Sequence, residues 1–455
     1  MSHQCHCAVA RQKIMNVVFL TAGTGSYYCG ACMRDNALAR ELQRMGHEVT
    51  IAPLYLPLIL DEPALAGAEQ VPVFFGGINV FLQQKLALFR HTPAAFDRLL
   101  NSTGLLKWAA RHSHMTSARD HGEMTLEMLQ IDASRLRKEL ENLMTWLEKI
   151  EKPDLVCLSN ALLAGFAGEV KRRIGSPVVV FFQGEDLFLD GLPEPFRSRC
   201  WAELAARLKT ADLLLSPTRF YADYIGQRLA LADGQVKVAY NGIQLEGYSP
   251  ATTSPATPTI GYLARMSREK GLWALVDAFI ALARDHGDGT TRLKIGGAAT
   301  AGDERGIAAA KQRLAEAGLE ARVSWHPNLT REEKIEFLRS LTLFSVPVQY
   351  PEAFGLYLIE AMACGVPVVQ PRSAAFPELV EMTGGGRCVN PGDPSALAAG
   401  WNELLREPDR GRGLGQAGRD GVLRLFGAPT MAQQFLQATA GLVGTRRAAR
   451  PAGGT

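Results

Sequence analysis

Two glutamates that stand eight positions apart, Glu352 and Glu360, carry the most chemical information in this sequence. Gly355 between them is expected to begin a helix, and Cys364–Pro367 is expected to end it. A helix start has backbone N–H groups without partners and carries the positive end of the helix dipole, so it suits a phosphate. Carboxylates accept hydrogen bonds from hydroxyl groups. The spacing therefore predicts a phosphate site flanked by two sugars, a nucleotide ribose and a donor sugar.

A second chemical segment contains Arg265 and Lys270, between a predicted strand at Thr259–Leu263 and a predicted helix that begins at Leu272. Loops that follow strands at the carboxyl edge of an open α/β sheet commonly bind ligands. A guanidinium and an ammonium in such a loop suit a diphosphate, because arginine binds it as a fork and lysine as a point charge. The alternative is a basic loop that binds no ligand.

Both segments resemble motifs of one family. Residues 351–369 resemble the Glu-x7-Glu motif of retaining glycosyltransferases with the GT-B fold, especially the large family 4 group, and residues 261–271 resemble the basic loop of the same family. The resemblance implies transfer of a sugar from a nucleotide diphosphate sugar to an acceptor hydroxyl, with retention at the anomeric carbon. The acceptor is expected to be a glycan, a lipid or a small metabolite.

The resemblance also suggests roles for single residues. Arg265 and Lys270 are expected to hold the diphosphate and to stabilise the charge that grows as it leaves. Glu352 is expected to orient the donor sugar, and Glu360 is expected to bind the ribose. The expected donor-binding backbone N–H groups are those of Phe354, Gly355 and Leu356.

Further landmarks of the family lie in the N-terminal half. Gly25 belongs to a glycine-rich turn and is expected to let the backbone approach a phosphate or a sugar. Gln183 stands where the family commonly has a histidine beside the donor sugar, so a group that titrates is not expected there. Glu185 and Asp186, which follow it, either bind acceptor hydroxyls or cap the next turn.

The order of predicted elements indicates an α/β protein of the GT-B class, with two doubly wound, parallel-sheet, Rossmann-like domains that face each other across a cleft. The predicted strands are Asn16–Leu20, Glu48–Ala52, Leu155–Leu158, Val178–Phe182, Leu213–Ser216, Val236–Ala239, Thr259–Leu263, Arg292–Ile295, Val323–His326, Leu343–Val346 and Val366–Gln370. The predicted helices include Asp35–Met45, Ala161–Ile174, Arg219–Leu231, Leu272–Asp285, Glu304–Ala317 and Arg331–Ser340, and an amphipathic helix that contains Leu136, Leu140, Leu143 and Leu147.

The predicted domain boundaries follow a segment rich in proline, serine and threonine. They are 1–246 for an acceptor-side domain with a variable helical insertion at 53–152, 247–258 for a linker, 259–429 for a nucleotide-sugar-binding domain, 430–443 for a helix that the family pattern carries back to the first domain, and 444–455 for a disordered tail.

Composition excludes several classes of protein. A net charge of +3 on 455 residues argues against a dedicated nucleic-acid binder. The sequence contains no run of 18 or more apolar residues, so no membrane span is expected. Its eight cysteines are too sparse for a disulfide scaffold, so a reducing cytoplasm is expected. Residues 85–114 contain five Lys/Arg and one acid, which could mark an acidic acceptor or peripheral contact with an anionic membrane surface, or simply a solvated helical face.

No metal or cofactor is expected, because the chain has no Asp-x-Asp motif and because two cations and a helix start can replace a divalent ion. Cys29 and Cys32 form a C-x-x-C pair that could be redox-active or could complete a metal site with Cys5, His6 and Cys7. The alternative is that both thiols pack beneath the glycine-rich turn.

Two other functions stay open at this point. A phosphorylase or a nucleotide-sugar epimerase of the same architecture would keep the phosphate site. A non-catalytic protein that binds sugar nucleotides is conceivable because Gln183 replaces the histidine.

Overall fold

The computed structural model describes residues 14–23, 30–60, 62–67, 71–75, 118–149, 153–287 and 289–448. Gly25, Cys29 and the basic segment 85–114 lie outside these residues, as do Cys5–Cys7 and residues 449–455. Within them, the strands form two six-stranded, fully parallel sheets, and the prediction of two doubly wound domains is confirmed.

The N-terminal sheet has the strand order β2-β1-β3-β4-β5-β6. Its strands are β1 (Asn16–Thr21), β2 (Glu48–Pro53), β3 (Leu155–Leu158), β4 (Val178–Phe181), β5 (Leu213–Ser216) and β6 (Val236–Val238). The inner strands β1, β3, β4 and β5 are mostly apolar, because both faces of a parallel sheet are covered by helices. Val18 and Leu20 belong to the core on one face, and Val17 and Phe19 to the core on the other.

The C-terminal sheet has the strand order β12-β11-β10-β7-β8-β9. Its strands are β7 (Thr259–Leu263), β8 (Arg292–Gly297), β9 (Val323–Pro327), β10 (Leu343–Phe344), β11 (Val368–Pro371) and β12 (Gly386–Val389). The predicted extension of β10 to Val346 is wrong. The side-chain carbonyl of Gln370 takes the N–H of Val346 (3.1 Å), so a side chain replaces the ladder there.

Helices cover both sheets. In the N-terminal half they are α1 (Gly30–Arg44), α2 (Ala118–Leu129), α3 (Arg137–Lys149), α4 (Phe166–Glu169), α5 (Glu185–Asp190), α6 (Phe196–Leu208) and α7 (Arg219–Arg228). In the C-terminal half they are α8 (Leu272–Asp285), α9 (Glu304–Glu316), α10 (Arg331–Arg339), α11 (Leu356–Ala363), α12 (Phe376–Thr383), α13 (Pro394–Arg406), α14 (Pro408–Leu425) and α15 (Ala428–Ala448). Each predicted helix has a counterpart except the one over 161–174.

The segment 161–174 is not one helix but a 3₁₀ turn, the short α4 and a turn of π-helix. Gly165 explains the break, because a Cβ at this position would lie 2.3 Å from the carbonyl oxygen of Met128. The chain thus approaches α2 more closely than a continuous helix with side chains would allow. This contact is tertiary and is not visible in the local sequence.

The last helix returns to the N-terminal domain. Phe435 of α15 packs against Phe19 and Phe181 of the N-terminal sheet, with ring centroids 6.2 and 6.1 Å away. The helix continues to Ala448, past its predicted end at residue 443. Each residue added to a docked helix gains a backbone hydrogen bond at little cost, which extends the helix.

The two segments that cross between the domains lie side by side. The N–H of Ile243 donates to Phe426 (2.9 Å), and the N–H of Ala428 donates to Ile243 (2.9 Å). A Cβ at Gly242 would lie 2.7 Å from the carbonyl oxygen of Gly427, so this approach requires glycine.

Among the described helices, none combines the length and the apolar content needed to cross a bilayer.

Candidate active site

The loop after β7 places Lys270 at the carboxyl edge of the C-terminal sheet. The next residue, Gly271, has φ +81° and begins α8. A Cβ at Gly271 would lie 1.8 Å from the carbonyl oxygen of Pro347, so no other residue fits here. The close approach brings Lys270 against the loop that follows β10, which contains Glu352.

Glu352 lies in a compact cluster with one cation and two phenols. Its Oε2 atom accepts from Lys270 Nζ at 2.5 Å and from the hydroxyls of Tyr350 and Tyr357 at 2.8 Å each. Lys270 also contacts the Tyr350 hydroxyl, and its Nζ lies 5.0 Å from the centre of that ring. The cluster joins two segments about 80 positions apart in sequence.

The cluster holds Glu352 as a carboxylate. Burial alone would raise its pKa, but the charge of Lys270 and the hydrogen bonds from Lys270, Tyr357 and Tyr350 outweigh burial and lower it. Burial, followed by the charge of Glu352, raises the pKa of both tyrosines, so they remain hydrogen-bond donors. The result is a fixed negative charge beside a fixed positive charge.

Arg265 lies in the same loop as Lys270 but is far more open. Its Nε donates to Asp303 at 3.1 Å, and its side chain is 55% exposed. Burial works to raise the pKa of Asp303, but hydrogen bonds from Thr300 and Arg265 outweigh it, and the pKa falls. Asp303 therefore orients the guanidinium while most of it stays accessible to an anion.

Tyr262 lies close to the acidic partners of both basic groups. Its hydroxyl donates to the carbonyl oxygen of Arg265 at 2.7 Å. Burial comes first in raising its pKa, followed by the charges of Asp303 and Glu352, which both lie near the phenol. The Arg265 loop and the Glu352 cluster are thus parts of one sheet edge.

The start of α11 has the form expected of a phosphate site. Gly355 is its N-cap with φ +94°, and a Cβ there would lie 3.1 Å from the ring of Phe376. Within the described residues, no side chain caps this helix start. Phe354 is only 3% exposed and packs on Phe426, so only its backbone could reach a ligand. Leu356 is half-buried and faces Gly30 of the opposite domain.

Glu360 lies further along α11 in a second cation–phenol cluster. Its Oε1 atom accepts from Lys334 Nζ at 2.6 Å and from the Tyr248 hydroxyl at 2.8 Å. Arg331 stacks on the Tyr248 ring, 5.0 Å from its centre. Arg331 also lies 3.9 Å from Glu62 of the N-terminal domain, so this cluster reaches the boundary between the domains.

The N-terminal domain contributes Gln183, Glu185 and Asp186 after β4. Both oxygens of Glu185 accept from backbone N–H groups, those of Ala161 (2.8 Å) and Gln183 (2.9 Å), and burial raises the pKa of this carboxyl. Asp186 accepts from the Tyr221 hydroxyl at 2.7 Å. Glu185 thus joins the loops at Ala161 and Gln183, and Asp186 binds a phenol, so these contacts are not caps of the following turn. Binding of acceptor hydroxyls stays a prediction.

Gln183 differs from its two acidic neighbours. Its side-chain Nε2 atom is buried, and no described residue accepts its hydrogen bonds. A buried amide without a partner is costly, so such a group is expected to find one when a ligand binds. Its role beside a sugar stays a prediction.

The loops of the two domains meet at this point. A Cβ at Gly184 would lie 3.9 Å from the Cβ of Ala353, next to Glu352. The charge of Asp186 also contributes to the raised pKa of Tyr350, after burial and the effects of Glu352. The structure therefore brings the N-terminal segment at Gln183 to the C-terminal site at Glu352.

Sequence reasoning missed Tyr248, Lys334, Tyr350 and Tyr357. Tyr248 falls within the segment predicted to be a linker, yet it is buried and binds Glu360. Tyr350 and Tyr357 flank Glu352 in sequence, and this clustering of phenols around a glutamate was an available signal. Lys334 had no such signal, because its partner lies 26 positions away.

The cysteine pair remains undecided because Cys29 lies outside the described residues. Cys32 is buried, with its Sγ 3.6 Å from the Thr21 hydroxyl. Within the part of the chain that the structure describes, no three His, Cys, Asp or Glu side chains are grouped to hold a metal ion.

Known proteins resemble this chain along most of its length. Residues 251–421 match the family model described as glycosyl transferases group 1, and residues 33–242 match the glycosyl transferase 4-like domain. Sucrose-phosphate synthase from Thermosynechococcus elongatus has a similar structure, with a TM-score of 0.69, 18% identity and coverage of 94% of this chain and 99% of the other. HepE from Anabaena, solved with UDP-glucose, has a TM-score of 0.64 at 18% identity, with coverage of 94% and 100%.

Curated relatives match over shorter regions. The D-inositol 3-phosphate glycosyltransferase of Nocardiopsis dassonvillei is 28% identical over 44% of this chain and 49% of its own length. The α-maltose-1-phosphate synthase of Mycolicibacterium smegmatis is 30% identical over 52% of this chain and 65% of its own length. The chain thus spans 49% and 65% of the length of these two relatives. The two family matches and the two facing sheets together place the chain among the group 1 glycosyl transferases, with the GT-B fold.

Proposed function

We propose that this protein transfers a sugar from a nucleotide diphosphate sugar to an acceptor hydroxyl, with retention at the anomeric carbon. The observation that carries the proposal is the Lys270–Glu352 pair beside the uncapped start of α11. A cation, an oriented carboxylate and free backbone N–H groups at one place suit a diphosphate joined to a sugar. HepE, which shares the fold, is described in complex with UDP-glucose.

The chemistry asks the site to stabilise a leaving diphosphate. As the bond between the sugar and the diphosphate breaks, negative charge grows on the phosphate oxygens. Lys270, Arg265 and the start of α11 would meet this charge with groups that are already oriented, which is the most effective form of electrostatic stabilisation. Because these groups supply positive charge, we expect transfer to continue in the presence of a chelator.

The two glutamates would bind different parts of the donor. Glu352 is held by Lys270, Tyr350 and Tyr357 through Oε2, so its other oxygen can accept from a hydroxyl of the donor sugar. Glu360 is held by Lys334 and Tyr248 through Oε1, which leaves its other oxygen for a ribose hydroxyl. In both cases one oxygen fixes the carboxylate and the second serves the ligand.

The acceptor would enter from the N-terminal domain. Two relatives have names that include inositol 3-phosphate and maltose 1-phosphate, so small phosphorylated polyols and sugars are the first acceptors to test. Glycans and lipids form the second panel. The unpartnered amide of Gln183 would bind a hydroxyl close to the reacting carbon.

The first experiment is a calorimetric titration of UDP, GDP and ADP, with and without Mg²⁺, against the parent protein and Glu360→Ala. Binding of one nucleotide without a metal requirement, weakened in the variant, would support the donor site. If none of the three binds, the donor-site assignment is wrong. The matched control is Glu332→Ala, which removes an exposed glutamate from α10, the helix that carries Lys334.

A second experiment separates transfer from the alternative reactions. With the matching nucleotide sugar and an acceptor panel, a transferase releases free nucleotide diphosphate in step with a new glycoside. An epimerase would change the sugar without release, and a phosphorylase would require inorganic phosphate. NMR of the product's anomeric proton tests retention, and an inverted product would contradict that part of the proposal.

A further inference from the structure

The N-terminal domain is fastened to the C-terminal domain at the first turn of α7. Glu378 of α12 accepts from the backbone N–H groups of Arg219 (3.1 Å) and Phe220 (2.9 Å). N–H groups at a helix start have no partner in their own helix, and the dipole favours negative charge there. A carboxylate of one domain thus caps a helix of the other. The hydroxyl of Tyr240, also from the N-terminal side, donates to the same carboxylate at 2.7 Å.

A second hydrogen bond between the domains lies one residue before this helix. The hydroxyl of Thr218 donates to the carbonyl oxygen of Ala353 at 2.9 Å, and it accepts from the N–H of Tyr221 at 3.1 Å. Thr218 is fully buried, so this bond is shielded from water. Because Ala353 follows Glu352 directly, the start of α7 holds the backbone of the catalytic loop.

The helix that carries Glu378 holds the same loop from the other side. Ala375, the N-cap of α12, donates its N–H to the carbonyl oxygen of Glu352 at 3.2 Å. The loop at Glu352 and Ala353 is therefore bound both by α12 and by Thr218. Glu378 joins α12 to the start of α7 across the domain boundary.

We infer that Glu378 is a positioning residue, which sets the backbone of Glu352 for sugar transfer when the two domains are together. This inference rests on the proposed function, because it assigns the loop a catalytic task. Glu378 itself does not touch the cation and phenols around Glu352. It acts through α7, Thr218 and the backbone of Ala353.

A carboxylate suits this task better than an amide. Its two oxygens meet the two N–H groups separately, Oε1 with Arg219 and Oε2 with Phe220. Glutamine would keep the size but turn an NH₂ group towards one of these donors. Glu378→Gln therefore weakens the contact without leaving a cavity. Thr218→Val keeps the shape of the side chain but removes both hydroxyl bonds, the one to Ala353 and the N-cap bond from Tyr221.

The test compares Glu378→Gln, Thr218→Val and the control Glu381→Gln, which changes an exposed glutamate on the same helix. We expect kcat of the first two to fall about 10-fold to 100-fold, since small displacements of a catalytic group have effects of this size. Nucleotide affinity should stay within about threefold of the parent, because the nucleotide contacts lie in the C-terminal domain. The control should match the parent.

A merely structural role predicts a different result, in which melting temperature, nucleotide affinity and kcat fall together. That pattern, or an unchanged kcat in Glu378→Gln, would overturn the inference. The double variant adds a further check, because residues that act through one contact are not additive. The kcat of the double variant should be close to that of the less active single variant.

Hydrogen exchange supplies a readout that needs no substrate. In Glu378→Gln the backbone N–H groups of Arg219 and Phe220 should exchange faster, while those in the middle of α7 keep the parent's rate. Unchanged exchange at both groups would contradict the contact itself. If the parent binds no nucleotide, the proposed function fails, and the exchange result alone decides whether Glu378 fastens the domains.

Discussion

Two carboxylates at the facing edges of the domains, the mostly buried Glu352 and the buried Glu185, are stabilised in opposite ways. Glu352 meets a lysine and two phenols, and its pKa is lowered although burial opposes this. Glu185 meets two backbone N–H groups, and burial raises its pKa. Both follow a strand of a parallel sheet at its carboxyl edge, yet only one of them has a cation as partner.

The difference separates a site that handles charge from one that holds the chain in place. A carboxylate with a fixed counter-ion keeps its charge and presents it to a ligand. A carboxylate that binds two backbone N–H groups closes a turn, and the neutral amide of Gln183 nearby is the group that we propose contacts the ligand. The charged groups that are predicted to contact the donor therefore lie in the C-terminal domain.

The largest effect should follow from removing the cation that distinguishes the two carboxylates. Lys270→Met should lower kcat/KM by about 10²–10³, the usual loss for one preorganised group that stabilises a leaving charge. It should also lower the free energy of unfolding by about 1–3 kcal/mol, because Glu352 stays mostly buried without its charged partner. Steady-state kinetics and urea unfolding at pH 7 measure the two losses.

The double variant Lys270→Met/Glu352→Gln controls for this loss of stability. It should recover stability, because no buried charge remains, but it should not recover activity. Recovery of activity would mean that Lys270 serves only to neutralise Glu352.

Arg265→Ala tests whether the cations of this edge act on the ligand. Arg265 does not contact Glu352, and 55% of its side chain is exposed. We expect kcat/KM to fall about 10²-fold with little change in stability, since a surface ion pair contributes little to folding. Arg268→Ala, an exposed arginine in the same loop, is the matched control. Turnover within about threefold of the parent would rule out contact between Arg265 and the diphosphate.

Glu360 extends the comparison to a second carboxylate with a lysine partner. Glu360→Gln should weaken nucleotide binding by about 10-fold to 100-fold, the range for a lost hydrogen bond to a charged group. Calorimetric titration with the preferred nucleotide measures it. An equal loss with the 2′,3′-dideoxy analogue would show that Glu360 does not bind the ribose hydroxyls.

Glu185→Gln should affect stability and leave the nucleotide site intact. The amide can accept only one of the two backbone N–H groups that Glu185 now binds, so one buried donor loses its partner. We expect a loss of about 1–2 kcal/mol in the free energy of unfolding. Nucleotide affinity should equal that of the parent, and a drop of tenfold would place Glu185 in the binding site instead.

The smallest effect is in the pH dependence of stability, where the two carboxylates should show opposite signs. The lowered pKa of Glu352 means that its contribution is present above its ordinary pKa of 4.5 and is lost as pH falls through the folded value. The raised pKa of Glu185 means that its contribution is present below 4.5 and is lost as pH rises through the folded value. The unfolding free energy of the parent is compared across this pH range with that of a variant at each glutamate. The difference should change with pH in one direction for Glu352 and in the opposite direction for Glu185.

The parts of the site that depend on local sequence were predictable. Gly355 begins α11, and the strand, loop and helix around Lys270 follow from apolar runs and from a glycine that takes positive φ. The parallel sheets follow from strands that are apolar on both faces. Such features are decided within about twenty residues of chain, so one sequence suffices to infer them.

The parts that depend on distant contacts were not predictable. Tyr248 looked like linker because its neighbours are proline, serine and threonine, yet its hydroxyl binds Glu360, 112 positions away. Glu185 gave two alternatives that no local pattern could separate, because one of its partners is the N–H of Ala161. The expected helix over 161–174 failed for the same reason, at the close approach of Gly165 to α2.

The return of α15 to the first domain has a consequence for the order in which the chain is made. Phe19 and Phe181 leave the ribosome long before Phe435, which covers them, is translated. Domains generally fold in the order of their synthesis. Here the first domain to be made is the last to be completed, and its apolar sheet face must wait for the C-terminal helix.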